Sequence, residues 1–252
     1  MLVLGEVSCH YEGRLAIVTI ANPGKLNAMS RHMWQQLRYV FNSIQGNKNA
    51  GCVLILGKNN SFSAGGDISE YPSFRFHEAS LREFHEVDVW GGLNAMLDCD
   101  VPIFAQIEGA CMGAGLEIAS CCDMRIAGAS SKFGAPIAKL GFPMAPKEAA
   151  LVKNAVGELT AREMLLEAAV LDAETMLQRG FLNRVVADAE VATSAMQSIN
   201  RILALAPQAA RLNKQTFRGL NSQNPYAYAD SAEHKEGINA FIAKRKPNWT
   251  QD

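Results

Sequence analysis

The chain reads as an α/β protein with a helical C-terminal region, and three observations predict it. A β-type run, an amphipathic helix and a continuous apolar run follow one another between residues 15 and 56. Two loops of glycine and alanine each follow an apolar, strand-like run. Beyond Lys147 the pattern turns mostly helical. The 252 residues suffice for one large domain, or a domain with a small appendage.

Leu15 to Ile20 is the first strand, stopped by the turn signal Asn22-Pro23-Gly24. Ser30 suits a helix N-cap, and Met33, Trp34, Leu37, Val40, Phe41 and Ile44 follow at helical spacing. Gly46 and Asn47 end that helix. Cys52 to Leu56 is apolar throughout, as a strand covered on both faces would be. The polar, aromatic stretch from Ser69 to Asp88 reads as a mobile or family-variable segment; from Tyr71 on it is expected to cover one end of a pocket, and its Phe74, Phe76 and Phe84 suggest a site that is roomy or aromatic-lined.

A helix is expected from Trp90 to Leu97 and a strand from Val101 to Ile107, with Pro102 tolerated at its start. Gly109 to Gly115 then leads into a helix from Leu116 to Cys122, followed by a strand at Met124 to Ala127. Later helices are expected over 148–156, 160–168, 173–179, 189–205, 207–217 and 231–243. A strand at Leu182 to Val186 and a polar loop around Asn221 to Pro225 interrupt them.

Composition excludes several classes. A net charge of −1 does not suit a nucleic-acid binder driven by bulk charge. No apolar run reaches transmembrane length, the start shows no secretory signal, and the last residues are no peroxisomal or retention signal. The six cysteines form no CxxC pair, and the five histidines show no ligand spacing, so no metal is expected. Reduced cysteines in apolar runs suit a cytoplasmic protein.

Chemistry concentrates in the two small-residue loops, Ser61 to Asp67 and Gly109 to Gly115. Small residues let a ligand approach the backbone, and the second loop opens a helix whose first N–H groups lack internal partners. Two converging N–H groups make an oxyanion hole. Neither loop has dinucleotide or P-loop spacing, and by themselves both are compatible with tight structural turns.

Ser61-Phe62-Ser63-Ala64-Gly65-Gly66-Asp67 resembles the first signature of the enoyl-CoA hydratase/isomerase (crotonase) family. Gly109 to Ala119, running on into Cys122 to Ala127, resembles the second. Asn22 to Ala28 is similar to the family's first CoA loop, Phe133 to Pro136 with Leu140-Gly141 to the segment after the second signature, and Phe241 to Lys246 to its C-terminal tail. The matches occur in order over nearly the whole chain.

The resemblance implies a crotonase-like spiral of ββα units over residues 1–190, carrying acyl-CoA binding and catalysis. It implies a helical oligomerisation region over 191–252, building homotrimers or homohexamers. The expected partner is an acyl-CoA thioester, with coenzyme A as part of the substrate and no other cofactor. The N–H groups of Gly66 and Ala114 would hold the thioester oxygen, a donor worth about 3–4 kcal/mol in the transition state. Ala64, Gly66 and Ile68 would line the CoA path beside Ala28 and Asp67, with Lys25 near the phosphates. Phe241 and Lys244 would reach a neighbouring subunit's CoA site. Glu117 matches one catalytic glutamate of the hydratases; burial would raise its pKa and suit it to proton transfer.

One position departs from the pattern. Where the hydratases carry a second glutamate, this chain has Ile137, which can neither give nor take a proton. Three readings stay open: a one-base isomerase, decarboxylase or slow hydratase; a surrogate acid; or a protein that binds acyl-CoA without chemistry. Glu148, Lys139, His85 and Asp88 are the surrogates considered, each otherwise expected at the surface. A serine hydrolase is the weakest alternative, because no G-x-S-x-G elbow is present and Ser63 has no evident histidine partner.

Overall fold

A computed structural model describes residues 5–220 and 224–249. Its main sheet has the order β1-β2-β3-β4-β6-β9. The strands are β1 (Glu6–Glu12), β2 (Leu15–Ala21), β3 (Cys52–Gly57), β4 (Ile103–Ile107), β6 (Met124–Gly128) and β9 (Arg184–Val186). The β1–β2 pair is antiparallel; all other pairs in this sheet are parallel. A second sheet sets β7 (Lys132–Gly134) between β5 (Ala110–Met112) and β8 (Val170–Asp172).

The continuous apolar runs are explained by burial on both faces. Val53, Ile55, Ile103 and Ala105 face the larger core, shared with α1 (Arg31–Gly46) and α3 (Trp90–Asp98). Their neighbours Cys52, Leu54 and Phe104 face the other way, against Val191, Ala195 and Ile199 of α8 (Val191–Leu203). Each strand therefore alternates between two apolar environments. Residues 191–203, which the sequence places in the tail, complete the second face of the sheet.

Ser30 caps α1 as expected, its Oγ accepting a hydrogen bond from the Met33 N–H at 3.2 Å. The helix buries the predicted stripe from Met33 to Ile44. Four strands escape the sequence reading. β1 is an edge strand with only Val7 buried, so it shows no apolar alternation. β5, β7 and β8 have three residues each, too few for a period to register.

The stretch from Ser69 to Asp88 is ordered and helical, contrary to the reading of it as a variable loop. A 3₁₀ turn (Ile68–Ser73) leads to α2 (Glu78–Glu83), a π-helical stretch (Phe84–Val89), and directly into α3. Pro72 and the wider π turn break the 3.6-residue period that identifies a helix in sequence. Asp88, expected at the surface, is buried and pairs with Arg31 at 2.5 Å and Gln35 at 2.9 Å, tying this stretch to α1.

The short helix α4 (Ala114–Ser120) follows the second loop. Arg125 holds its C-terminal end, donating to the carbonyls of Ala119 at 3.0 Å and Cys122 at 2.5 Å. Helices α5 (Pro146–Val156), α6 (Glu158–Leu166) and α7 (Ala173–Gln178) complete the body, and α9 (Pro207–Phe217) and α10 (Ala232–Ile242) follow α8. Residues 221–223 of the expected polar loop and residues 250–252 of the C-terminus lie outside the described residues.

Candidate active site

The two small-residue loops are stitched together by backbone hydrogen bonds. Ser63 N–H donates to Ala110 O at 2.8 Å, and Met112 N–H returns a bond to Ser63 O at 2.9 Å. Met29 N–H donates to Gly65 O at 2.7 Å and Asp67 N–H to Met29 O at 2.8 Å, fixing the first loop against the chain before α1. Gly65 and Gly113 face each other at this crossing, both with positive φ (113° and 46°). A Cβ on Gly113 would lie 3.5 Å from Gly65 Cα, an ordinary contact, so the crossing needs glycine for conformation more than for space.

Asn27 explains the first motif. Its side-chain amide donates to the carbonyls of Lys58 and Ser61 at 2.7 and 2.6 Å, while its Oδ1 accepts from Asn22 N–H at 3.1 Å. Ser63 is fully buried and donates to Asn27 O at 2.8 Å. That hydroxyl supports a loop and is no exposed nucleophile.

Gly66, Ala114, Glu117 and Ile137 line one cavity of about 60 Å³. Neither the Gly66 nor the Ala114 N–H donates to a protein acceptor among the described residues. Glu117 sits in the first turn of α4. Burial raises its pKa to about 8; the charge of Glu148 adds to the shift and Arg75 partly offsets it. Ile137 begins a 3₁₀ turn (Ile137–Leu140) and presents an apolar wall.

Residues that the sequence reading left unplaced or unnamed fill the rest of the cavity. His85 lines it, and its Nδ1 is 2.9 Å from Glu148 Oε1. Glu148 is 2% exposed, so the expectation of a surface residue fails for both. Lys139 is exposed and Asp88 pairs with Arg31; neither lines the cavity. Tyr71, Arg75 and Phe142 were not anticipated. The Arg75 guanidinium lies 3.7 Å from the Phe142 ring centroid and 4.6 Å from that of Tyr71. The spacing of Tyr71 and Arg75, one helical turn apart in an aromatic stretch, was the available signal. The stretch was expected over the pocket, and it does line the cavity beside Glu117, but neither residue was singled out in it.

Of the expected roomy or aromatic-lined site, the cavity has the aromatic lining, from Trp34, Tyr71, Phe84 and Phe142, and not the room. Phe84 lines the cavity, but Phe74 packs behind it with centroids 4.5 Å apart, and Phe76 is 77% exposed. Side chains, Arg75 among them, fill the space.

Along the outer face, Lys25 Nζ lies 2.6 Å from Asp67 Oδ2 and 2.9 Å from Ser69 Oγ. Burial would raise the Asp67 carboxyl, but hydrogen bonds from Lys25 and Ser69 outweigh it and hold the pKa below its usual value. Ala64 and Ile68 are exposed and Ala28 is buried. Phe241, 85% exposed, and Lys244 lie at the end of α10 and do not line the cavity. Among the described residues no group of metal-ligating side chains is assembled, and no helix is long and apolar enough to cross a membrane.

The mostly parallel sheet, the paired loops and the half-buried carboxyl beside them define a crotonase-type α/β fold. A family model described as enoyl-CoA hydratase/isomerase matches residues 10–252. The short-chain-enoyl-CoA hydratase of Clostridium acetobutylicum is 31% identical, covering 96% of this chain and 97% of that protein. A solved enoyl-CoA hydratase/carnithine racemase from Magnetospirillum magneticum superposes with a TM-score of 0.93 at 33% identity, covering 98% of this chain and 96% of the other. A putative enoyl-CoA hydratase/isomerase family protein from Hyphomonas neptunium gives 0.89 at 27% identity, covering 98% of each. The chain belongs to the enoyl-CoA hydratase/isomerase family.

Proposed function

We propose that this chain is an acyl-CoA enzyme of the hydratase/isomerase type that stabilises a thioester enolate and moves one proton with Glu117. One observation carries the reading: a carboxyl with its pKa raised to about 8 shares a cavity with the unpaired N–H groups of two adjoining loops. Charge that develops on a thioester oxygen as the α-carbon loses a proton would be met by the Gly66 and Ala114 N–H groups. Glu117, with a pKa near the working pH, can both accept and return that proton.

Ile137 favours one-base chemistry. Water addition across a double bond needs one group to activate water and another to deliver the α-proton. Ile137 can do neither, so on this reading α-proton exchange and double-bond isomerisation are the steps that Glu117 performs best. Lys25, held by Asp67 but still half-exposed, suits the CoA phosphates, and the exposed Ala64 and Ile68 flank the path that CoA would follow past Ala28. Residues 191–252 would form the oligomerisation region, with Phe241 and Lys244 offered to a neighbouring copy in a trimer or hexamer. The six free cysteines suit a reducing cytoplasm.

The test is incubation of the purified protein with crotonyl-CoA in heavy water, read by mass spectrometry. Deuterium at carbon without added water supports the one-base reading. Added water would mean a working second acid. If crotonyl-CoA binds and stays unlabelled, the non-catalytic alternative gains.

A further inference from the structure

We propose that the acyl group this site accepts is short and ends in a carboxylate, which Arg75 binds. The inference rests on the reading of the Glu117 cavity as the acyl site, and it specifies the substrate class.

Among the described residues, Arg75 is a cation without a carboxylate ion pair in the wall of a small cavity. Its one side-chain hydrogen-bond contact among them is His85, at 3.4 Å from Nη1 to Nε2. The guanidinium sits in the corner made by the Phe142 and Tyr71 rings, which meet edge to face, and this limits the directions in which its remaining N–H groups can point. From behind, Glu148 Oε1 meets His85 Nδ1 at 2.9 Å. With the proton on Nδ1, the imidazole gives that proton to Glu148 and offers Nε2 as acceptor to Arg75, an assignment made from the hydrogen-bond pattern. Four residues from four segments thus combine around one guanidinium.

An aliphatic acyl chain would be a poor occupant. It would strip water from Arg75 and give nothing back, and a buried charge left unpaired is costly. A carboxylate would supply two acceptors in the geometry a guanidinium matches. Glu117 is no standing substitute. Burial disfavours its charged form, and although it attracts Arg75 across the cavity, no Glu117–Arg75 ion-pair contact is present among the described residues. The cavity of about 60 Å³ leaves room for few carbons between the thioester and the terminal group. Ile137, Val89 and Met144 can receive the methylenes, while Arg75 takes the charged end.

The experiment is titration calorimetry with unreactive or slowly reacting thioesters in matched pairs. Malonyl-CoA is compared with its neutral isostere isovaleryl-CoA, and glutaryl-CoA with hexanoyl-CoA; free CoA gives the baseline. Wild-type protein should favour at least one diacid over its neutral counterpart by roughly 10- to 100-fold, the range of a charge-assisted bidentate pair. Arg75→Met should abolish that ratio and Arg75→Lys should retain part of it. Equal affinities within both pairs in the wild type would overturn the proposal while leaving the acyl-CoA reading intact. So would a preference that survives Arg75→Met. If Arg75→Met does not fold, the wild-type ratios and Arg75→Lys still decide. Failure of every thioester and of CoA to bind would overturn the acyl-CoA reading itself, and this proposal with it.

Discussion

Glu117 and Ile137 line the same cavity, one from the first turn of α4 and the other from the 3₁₀ turn at residues 137–140. The pairing of an ionisable wall with an inert one is what makes this site asymmetric. Ile137→Glu should restore a second carboxyl and increase the ratio of water addition to α-proton exchange on crotonyl-CoA. The ratio is read from product masses in heavy water. An unchanged ratio in a folded variant would show that position 137 does not limit hydration.

Proton exchange should follow the ionisation of Glu117. As general base it must be deprotonated, so kcat/KM for exchange should rise with pH and level off above about 8. Glu148 raises the Glu117 pKa through its charge; Glu148→Gln should therefore move the midpoint to lower pH. Glu117→Gln should remove exchange altogether while CoA still binds. A pH–rate profile of the three proteins checks all of this, and activity retained in Glu117→Gln would remove Glu117 from the mechanism.

The same shift predicts the pH dependence of stability. The folded pKa of Glu117 is about 8, against an ordinary value of 4.5. Between these values the native state holds a proton that the unfolded chain has lost, so stability falls as pH rises through this window. The contribution is full below about pH 4.5 and lost above about 8. Glu117→Gln removes the penalty and should stabilise the protein at pH 8 by an amount on the order of a few kcal/mol. Urea midpoints of both proteins at pH 5 and pH 8 measure it; the two curves should converge at the lower pH.

Gly66 is confined by Tyr71. A Cβ added there would overlap the Tyr71 hydroxyl, with the ring carbon Cζ at 3.1 Å. Gly66→Ala should cost about 1–3 kcal/mol and displace the loop N–H. Removing the hydroxyl with Tyr71→Phe should recover part of both stability and activity in the double variant. Additive losses would show that the clash is not the cause.

The fold was legible where burial is simple. Cys52 to Leu56 and the stripe from Met33 to Ile44 each face one kind of surroundings, and the sequence periodicity states which. The active-site loops were legible because glycine at positions 65 and 113 answers to backbone constraints that no other residue meets. Arg75, His85 and Glu148 were not legible. They lie up to 73 positions apart, and only the packing of the π-helical stretch Phe84–Val89 against α5 brings them together. His85 and Glu148 look like surface residues in sequence because their partner is tertiary.

The origin of the cavity walls divides the molecule into two inheritances. Gly66, Ala114 and Glu117 hang from the ends of β3 and β5, inside the stitched backbone of the sheets. Tyr71, Arg75, His85, Ile137 and Phe142 belong to stretches that contribute no strand to either sheet. Substrate preference, and through Ile137 the choice of reaction, can thus be recut by exchange of those stretches alone, like the bit of a key on an unaltered shank.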